Sequence, residues 1–405
     1  MINVVIFNGG RGAANLIPEL INNYKDYKVQ SIVNAYDDGK STGQIREFFE
    51  MLGPSDIRKV QQLMLAKNLP DYESIYNIFD LRFPAHSSNA SIIKMLRNES
   101  TKRGANFFGN FFNDKELLKK LRQLLKLFLI NYDLIKKVSP GKKLSFKDCS
   151  LMNCLYAAAY ISNNRNIDHA AKEFEKIFNL AGSVLPSSLE NKKLVGLRSD
   201  GTILFSEAEI VELRSNVSIE RVFLLDSYPS KNGFKKATIK QKKDFLENHH
   251  SYVEATPRVL RAIKDADIII YSAGTQHSSL YPTYFSNGVA SSIVENKRAL
   301  KVFIANIGAD YETPFYEAHD YILGALKYLN LGASFNFEAK DYFDIALINN
   351  SNKRDKNYVK INSKRLKTIP VKTVIKKFEL NYSGKHDGSK IAKFIHDAFT
   401  NSHGK

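Results

Sequence analysis

Two adjacent carboxylates, Asp37 and Asp38, are the residues of this chain best suited to chemistry, because they stand where an apolar run ends. Such a pair could accept hydrogen bonds from ribose hydroxyls, or it could hold Mg²⁺ through water. The residues that follow are small, hydroxylic or basic, as expected around a bound anion: Lys40, Ser41, Thr42 and Arg46. A Walker phosphate loop would need glycine where the chain has Asn34. We therefore expect a tight turn at 41–43 that donates N–H and O–H groups to a phosphate.

Two loops of small residues could hold the same anion. Gly9, Gly10 and Gly12 follow the first apolar run, and they would let backbone N–H groups approach a ligand closely. The helix expected after them would present its positive end to a phosphate. Gly274 and Thr275 form a second loop of this kind after another apolar run. Both loops are therefore candidate ligand-binding segments.

A third polar turn places an acid and a base, Asp56 and Arg58, at the start of a predicted helix. Their side chains could cap the helix and pair with each other, as such residues commonly do. They could equally face a charged ligand, and the sequence leaves both interpretations open.

The elements around these motifs predict an α/β fold with a doubly wound, mainly parallel, Rossmann-like sheet. Segments 2–8 and 29–35 are apolar strands joined by a helical pattern over 13–24, which is a strand–helix–strand unit. Such a crossover makes the two strands parallel, and ligands of these sheets bind outside the carboxyl ends of the strands. We expect one domain over 1–405, with a helical insertion at about 67–147.

Charge and composition narrow the class of protein. The formal net charge is +17, and it resides in the lysine-rich segments 115–147 and 351–377. Neither segment matches a nucleic-acid-binding signature, so we interpret both as solvated surfaces and argue against a nucleic-acid partner. No apolar run is long enough to span a membrane. The two cysteines provide neither a disulfide framework nor a zinc site, and with no signal peptide they favour a cytoplasmic protein.

Taken in order, the motifs resemble those of the family that joins bacterial gluconeogenesis-factor proteins (YvcK-like) with 2-phospho-L-lactate transferase (CofD-like). The matching segments are Asn8-Gly9-Gly10-Arg11-Gly12, Asp37-Asp38-Gly39-Lys40-Ser41-Thr42-Gly43 with Arg46, Pro54-Ser55-Asp56-Ile57-Arg58, Asn153 with 157–159, Asp200-Gly201, 266–279 and Lys385-His386-Asp387. The resemblance runs through most of the chain and adds Asn8 and Asn153 to the candidate ligand-binding residues. Lys40 and Ser55 stand where the family has glycines, so the crevice is expected to be kept while the ligand can differ.

The resemblance implies two functions of different classes. In the regulatory branch the protein binds UDP-sugars such as UDP-N-acetylglucosamine and supports control of cell-envelope or carbon metabolism. The loops would then hold the diphosphate, and Arg46 or Arg58 would neutralise its charge.

In the other branch a Mg²⁺-dependent transferase moves a phospholactyl-type group from a nucleotide diphosphate donor to a deazaflavin-like acceptor. Asp37 and Asp38 would then hold the metal and be the candidate catalytic residues. Whether the chain is an enzyme stays open, as do a homodimer and a third function as a partner-binding scaffold. No covalent cofactor is expected.

Overall fold

The computed structural model describes residues 1–101, 108–110, 112, 114–351 and 357–403, with Lys40, Asn110 and His403 described by their backbone alone. The chain forms two compact units. Unit 1 contains Met1–Asn34 and Leu185–Lys405, and unit 2 contains Ala35–Val184. The prediction of a single domain stays a prediction.

The strands of the described residues, in chain order, are β1 (Ile2–Phe7), β2 (Tyr27–Val33), β3 (Ser183–Pro186), β4 (Lys193–Arg198), β5 (Ile203–Leu204), β6 (Ile219–Leu225), β7 (Ile268–Tyr271), β8 (Leu300–Ile304), β9 (Ile345–Asn349) and β10 (Lys372–Lys376). Seven of them form one sheet in the order β10-β9-β8-β7-β1-β2-β3. The other three, in the order β5-β4-β6, form an antiparallel sheet.

The helices, numbered likewise, are α1 (Leu16–Asn23), α2 (Lys40–Phe49), α3 (Ser55–Leu63), α4 (Tyr72–Asp80), α5 (Asn89–Ser100), α6 (Lys115–Val138), α7 (Leu151–Ser162), α8 (Ile167–Ile177), α9 (Glu207–Glu212), α10 (Ile239–Asn248), α11 (Pro257–Asp265), α12 (Tyr281–Tyr284), α13 (Val289–Glu295), α14 (Ala318–Leu331), α15 (Ala339–Tyr342), α16 (Ser363–Leu366) and α17 (Gly388–His403). A short π-helical turn, Gln276–Leu280, precedes α12.

The order in which the strands of the large sheet follow one another changes sense at strand β1, with β2 and β3 on one side and β7 to β10 on the other. It pairs in parallel with β2 on one side and with β7 on the other. Strands β8, β9 and β10 continue the parallel order beyond β7. The side chains of β7 are buried throughout, as expected for a parallel strand covered on both faces. The predicted doubly wound α/β fold is confirmed, and its switch point lies between β1 and β7.

Unit 2 consists mainly of helices packed on one central helix. Helix α7 is buried along most of its length, and Ala157, Ala158 and Ala159 let its neighbours approach closely. Helix α6 contributes an apolar face that includes Leu121, Leu125 and Phe128. The predicted insertion at 67–147 lies inside this unit, and α4, α5 and α6 account for most of its described part.

The tight turn expected at 41–43 was a wrong prediction, because Lys40–Phe49 is a helix capped by Gly39. Ile45, Phe48 and Phe49 are buried at helical spacing, and burial of that apolar face favours the helix over a turn of small residues. Thr42 and Gly43 therefore donate their backbone N–H groups to the carbonyl of Gly39.

Candidate functional site

A cleft of about 570 Å³ opens in unit 1 at the carboxyl ends of β1, β7 and β8. Its walls come from the first glycine loop, the second small-residue loop and the segments after β8 and before α17. The lining residues are Gly9, Arg11–Leu16, Ser272–Thr275, Ile304, Asn306–Gly308, Asp310, Gly384–His386 and Ile391. This position at the switch point is where open α/β sheets bind their ligands.

Close contact between the two loops explains the glycines of the first one. A Cβ atom at Gly9 would lie 2.2 Å from Cβ of Ser279, and one at Gly12 would lie 2.2 Å from the carbonyl oxygen of Ala273. Asn8 links the loops further, because its Oδ1 accepts hydrogen bonds from Ala13 N (3.0 Å) and Ser272 Oγ (3.2 Å). The backbones therefore meet without intervening side chains and leave the cleft open above them.

The second loop is held by an amide that the sequence analysis did not identify. Asn306, just after β8, accepts a hydrogen bond from Gly274 N at 3.0 Å and donates one from Nδ2 to Gly274 O at 2.9 Å. Thr275 Oγ1 donates to Ser279 Oγ at 2.8 Å. Both polar groups of the Gly274 backbone are thus fixed in the cleft wall. A polar residue at the end of the predicted strand 301–306 was the available sequence signal for Asn306.

Glu312 anchors the π-helical turn that follows the second loop. Its carboxylate accepts hydrogen bonds from His277 N (2.8 Å), Ser278 N (2.9 Å) and Ser278 Oγ (2.5 Å). Burial, followed by the nearby charge of Asp310, raises the pKa of Glu312 to about 8 despite these donors. Burial also raises the pKa of Asp310, which lines the cleft. Sequence reasoning missed both acids.

The rim of the cleft carries both signs of charge and a neutral imidazole. Burial lowers the pKa of His386 to about 4, and its Nε2 lies 3.0 Å from the carbonyl oxygen of Ala305. Asn15 Nδ2 donates to the carbonyl of His386 at 2.7 Å, which connects the glycine loop to this segment. Lys385 is exposed at the rim. His386 would therefore face a ligand uncharged at neutral pH, while Lys385 supplies a cation.

A second group of predicted residues lies in unit 2 and surrounds an acidic pair. Asp37 Oδ1 accepts a hydrogen bond from Gly39 N at 2.9 Å. Burial raises the pKa of Asp37, and the neighbouring carboxylate of Asp56 adds to the effect. Lys59 Nζ lies 2.9 Å from Asp56 Oδ1, and the charge of Asp56 raises the pKa of this lysine. The carboxylate whose charge acts on Asp37 in this cluster is thus that of Asp56. Asp38 is its neighbour in the sequence.

The two predicted arginines of unit 2 are buried and bind protein groups. Arg46 is 1% exposed and donates to the carbonyl oxygens of Tyr36 (2.6 Å) and Asp37 (3.3 Å). Arg58, equally buried, donates to the carbonyl of Phe79 and from Nε to Asn153 Oδ1 at 3.2 Å. These contacts indicate that both guanidinium groups hold the fold, while their predicted action on ligand charge stays a prediction.

Asn153 joins the remaining predicted residues of unit 2. Its Nδ2 lies 3.4 Å from Thr42 Oγ1, which contacts Ser55 Oγ at 2.5 Å. The structure therefore brings together two groups. Asn8, Gly9, Gly10, Gly12, Gly274 and Thr275 form the first, in unit 1, and Asp37, Thr42, Arg46, Asp56, Arg58 and Asn153 form the second, in unit 2. Asp38 is half-buried and Ser41 is buried. The side chain of Lys40 lies outside the described residues.

The residues suit a divalent cation only partly. Asp37 and Asp38 stay the predicted ligands, and burial, followed by the charge of Asp56, raises the pKa of Asp37, so an uncompensated carboxylate is disfavoured there. Glu317, His319 and Asp320 form a compact group of candidate ligands elsewhere in the described residues. Arg365 already contacts both carboxylates of that group, at 3.1 and 3.3 Å, so a cation is already in place there.

Within the described residues, no helix combines the length and apolar character that crossing a membrane requires. This agrees with the absence of a long apolar run in the sequence.

Comparison with known proteins identifies the family. The chain is similar to the gluconeogenesis factor of Halalkalibacterium halodurans (24% identity over 335 residues, 82% of this chain and 74% of that protein). It is also similar to that of Bacillus subtilis (23% over 331 residues, 81% and 75%). The crystal structure of protein BH3568 from Bacillus halodurans matches the fold with a TM-score of 0.66 at 22% identity, covering 98% of this chain and 99% of that one. The family model described as 2-phospho-L-lactate transferase CofD matches residues 4–379, and the chain therefore belongs to the CofD family.

Proposed function

We propose that the protein binds a nucleotide sugar, such as a UDP-sugar, in the cleft of unit 1 and acts as a regulatory protein of the gluconeogenesis-factor type. The observation that carries the proposal is the cleft itself, at the switch point of the sheet and walled by two glycine-containing loops. Its volume of about 570 Å³ lies in the range of small-molecule sites. The names of the relatives from Halalkalibacterium halodurans and Bacillus subtilis support the regulatory type.

The hydrogen bonds inside the loops restrict which groups would hold the diphosphate. Gly12 N donates to the carbonyl of Gly9, and Gly274 N donates to Asn306. These two N–H groups are used by the loops themselves. Gly9 N and Thr275 N make no hydrogen bond within the described residues, so they would be donors to a diphosphate. Lys385 at the rim would add a cation, and Asp310 would accept from a sugar hydroxyl.

A Mg²⁺-dependent transferase is the second candidate, favoured by the description of the family model and by the acidic pair in unit 2. Asp37, Asp38 and Asp56 would hold the metal, which would supply positive charge to a diphosphate leaving group. Gly39 N, which donates to Asp37, and Lys59, which pairs with Asp56, would orient these carboxylates.

Isothermal titration of the purified full chain would test the proposal with UDP-N-acetylglucosamine, GDP and a deazaflavin, each with and without Mg²⁺. We expect UDP-N-acetylglucosamine to bind independently of Mg²⁺. Lys385→Ala should weaken binding about tenfold, because a charge-assisted contact to phosphate is lost. Lys393→Ala is the matched control, since Lys393 pairs with Asp397 on α17 and does not line the cleft. Mg²⁺-dependent binding of GDP or the deazaflavin alone would contradict the nucleotide-sugar proposal and favour the transferase.

A further inference from the structure

The two ends of the basic segment 351–377 line a second, smaller pocket in unit 1. This pocket has a volume of about 160 Å³ and lies at the carboxyl ends of β9 and β10, so it opens on the same edge of the sheet as the cleft. None of the described residues of segment 351–377 lines the cleft, whereas Ser351 and Lys377 both line the small pocket. The ends of the segment therefore belong to a pocket that is separate from the cleft.

One buried amide in this pocket has an unused donor. Asn349 is 7% exposed, and its Oδ1 accepts a hydrogen bond from Phe378 N at 2.8 Å. Its Nδ2 is buried and has no hydrogen-bond partner in the described residues. Buried polar groups are rarely left unbonded, so a ligand oxygen is a natural acceptor for this group.

The charged residues of the pocket favour an anion. Lys377 lines it and has no carboxylate within ion-pair distance among the described residues. Lys390 also lines it and pairs with Asp387 at 3.0 Å. Glu379 also lines the pocket and keeps its charge, while its Oε1 is held by hydrogen bonds from Tyr358 Oη and Gly384 N at 2.7 Å each. A lysine is a point charge with rotatable donors, which suits a single phosphate group and needs no fork geometry.

We propose that this pocket is a second anion site, separate from the nucleotide-sugar cleft, which takes the phosphate group of inorganic phosphate or of a small phosphomonoester. Lys377 and Lys390 supply the positive charge, and Asn349 Nδ2 donates a hydrogen bond from below.

The loop 379–387 connects this site to the cleft. Glu379, Asn381 and Tyr382 line the small pocket, whereas Gly384, Lys385 and His386 line the cleft. The loop is closed by hydrogen bonds from Leu380 N to Lys385 O (2.9 Å) and from Asp387 N to Phe378 O (2.7 Å). An anion held on one side of such a loop restrains the side chains on its other side. This coupling to ligand affinity in the cleft rests on the proposed function, whereas the anion site does not.

Titration calorimetry of the full chain with inorganic phosphate, and separately with glycerol phosphate, tests the site. Lys377→Gln should weaken binding about fivefold or more, since one charged donor is removed. Lys372→Gln is the matched control, because Lys372 is an exposed lysine at the other end of β10, the strand that Lys377 follows, and it does not line the pocket. The tighter of the two anions identifies the source of the phosphate group. Absence of binding at millimolar anion, or equal weakening in both variants, would overturn the proposal.

Hydrogen exchange with inorganic phosphate locates the bound anion without any nucleotide. At a phosphate concentration near the dissociation constant of the wild type, we expect slower exchange at the amides of 380–387 in the wild type and clearly less protection there in Lys377→Gln. Protection that persists in Lys377→Gln and includes 9–12 would place the anion in the cleft and contradict the second site. Failure of UDP-N-acetylglucosamine to bind would overturn the proposed function and leave these phosphate results unaffected.

Discussion

At the scale of single residues, the protonation state of Glu312 affects the stability of the segment that forms one wall of the cleft. Its buried carboxyl group holds the backbone of His277 and Ser278 directly after the second loop. A group that is easier to protonate in the folded than in the unfolded chain makes stability depend on pH. A substitution of Glu312 alone therefore separates its effect on the free energy of unfolding from that of the other carboxylates.

The raised pKa of Glu312 predicts the direction of that dependence. The ordinary pKa is 4.5 and the folded value is about 8. The stability that this group contributes is therefore full below pH 4.5 and is lost as the pH rises through about 8. Asp310, whose pKa is also raised, acts in the same direction. His250, His277 and His386 act in the opposite direction below about pH 7, because their lowered pKa values of about 4, 3 and 4 keep them neutral in the folded chain while the unfolded imidazoles bind protons. Urea unfolding between about pH 7 and pH 8.5, above the titration of unfolded histidine, should therefore give a falling free energy of unfolding in the wild type. A flatter profile is expected in Glu312→Gln, and identical slopes in the two proteins would contradict the assignment.

Arg46 provides a second prediction at this scale. Replacing it with Met would leave the carbonyl oxygens of Tyr36 and Asp37 without their donor in a buried place. We expect a loss of about 2–4 kcal/mol in the free energy of unfolding, measured with urea. Lys120→Met is the control, because its surface ion pair with Glu116 should contribute less than about 1 kcal/mol. Equal losses in both variants would show that the buried hydrogen bonds of Arg46 are unimportant.

At the scale of elements, the contact between the two loops determines the cleft. Gly12 and Gly308 both line it, but a Cβ atom would lie 2.2 Å from Ala273 O at the first and 3.9 Å from its nearest atom at the second. Gly12→Ala should push the loops apart, lower the melting temperature by several degrees and weaken ligand binding. Gly308→Ala should leave the melting temperature almost unchanged. Thermal unfolding of both variants measures this, and similar melting temperatures would contradict the close loop contact.

The elements also show where sequence reasoning succeeds and where it ends. The strands β1 and β7 and the glycine loop were predictable, because short apolar runs that are rich in Val and Ile and are followed by glycine favour buried strands over helices. Only the start of helix α2 was wrong, because Gly39, Ser41 and Gly43 suggested a turn, whereas the helix that Pro54 was expected to stop already begins at Lys40 and buries Phe48 and Phe49. Local composition does not reveal which apolar residues a helix will bury.

The candidate site was predictable to a smaller extent than the fold. Motif order identified the residues of both groups, but it did not reveal that Arg46 and Arg58 are bonded to backbone and side-chain oxygens inside unit 2. Asn306 and Glu312 were missed, since they lie 32 and 34 residues or more from the backbone groups that they hold. Contacts at such separations depend on the tertiary fold.

At the scale of the whole molecule, the net charge of +17 raises the question of whether the protein binds nucleic acid. Lysines outnumber arginines in both basic segments, and a basic surface without base-reading side chains binds nucleic acid only through phosphates. Fluorescence anisotropy at about 150 mM salt should give a dissociation constant for duplex DNA of roughly 10⁻⁶ M or weaker. The affinity should fall steeply as salt is added. Nanomolar, sequence-selective binding would contradict this interpretation.

Hydrogen exchange of the full chain with saturating UDP-N-acetylglucosamine tests the central claim most directly, because it reports where the ligand binds as well as whether it binds. We predict slower exchange at the amides of 9–16 and 272–280, with no change along α6. Protection restricted to other parts of the chain, or no protection at any concentration of the nucleotide sugar, would contradict a nucleotide-sugar site in the cleft of unit 1.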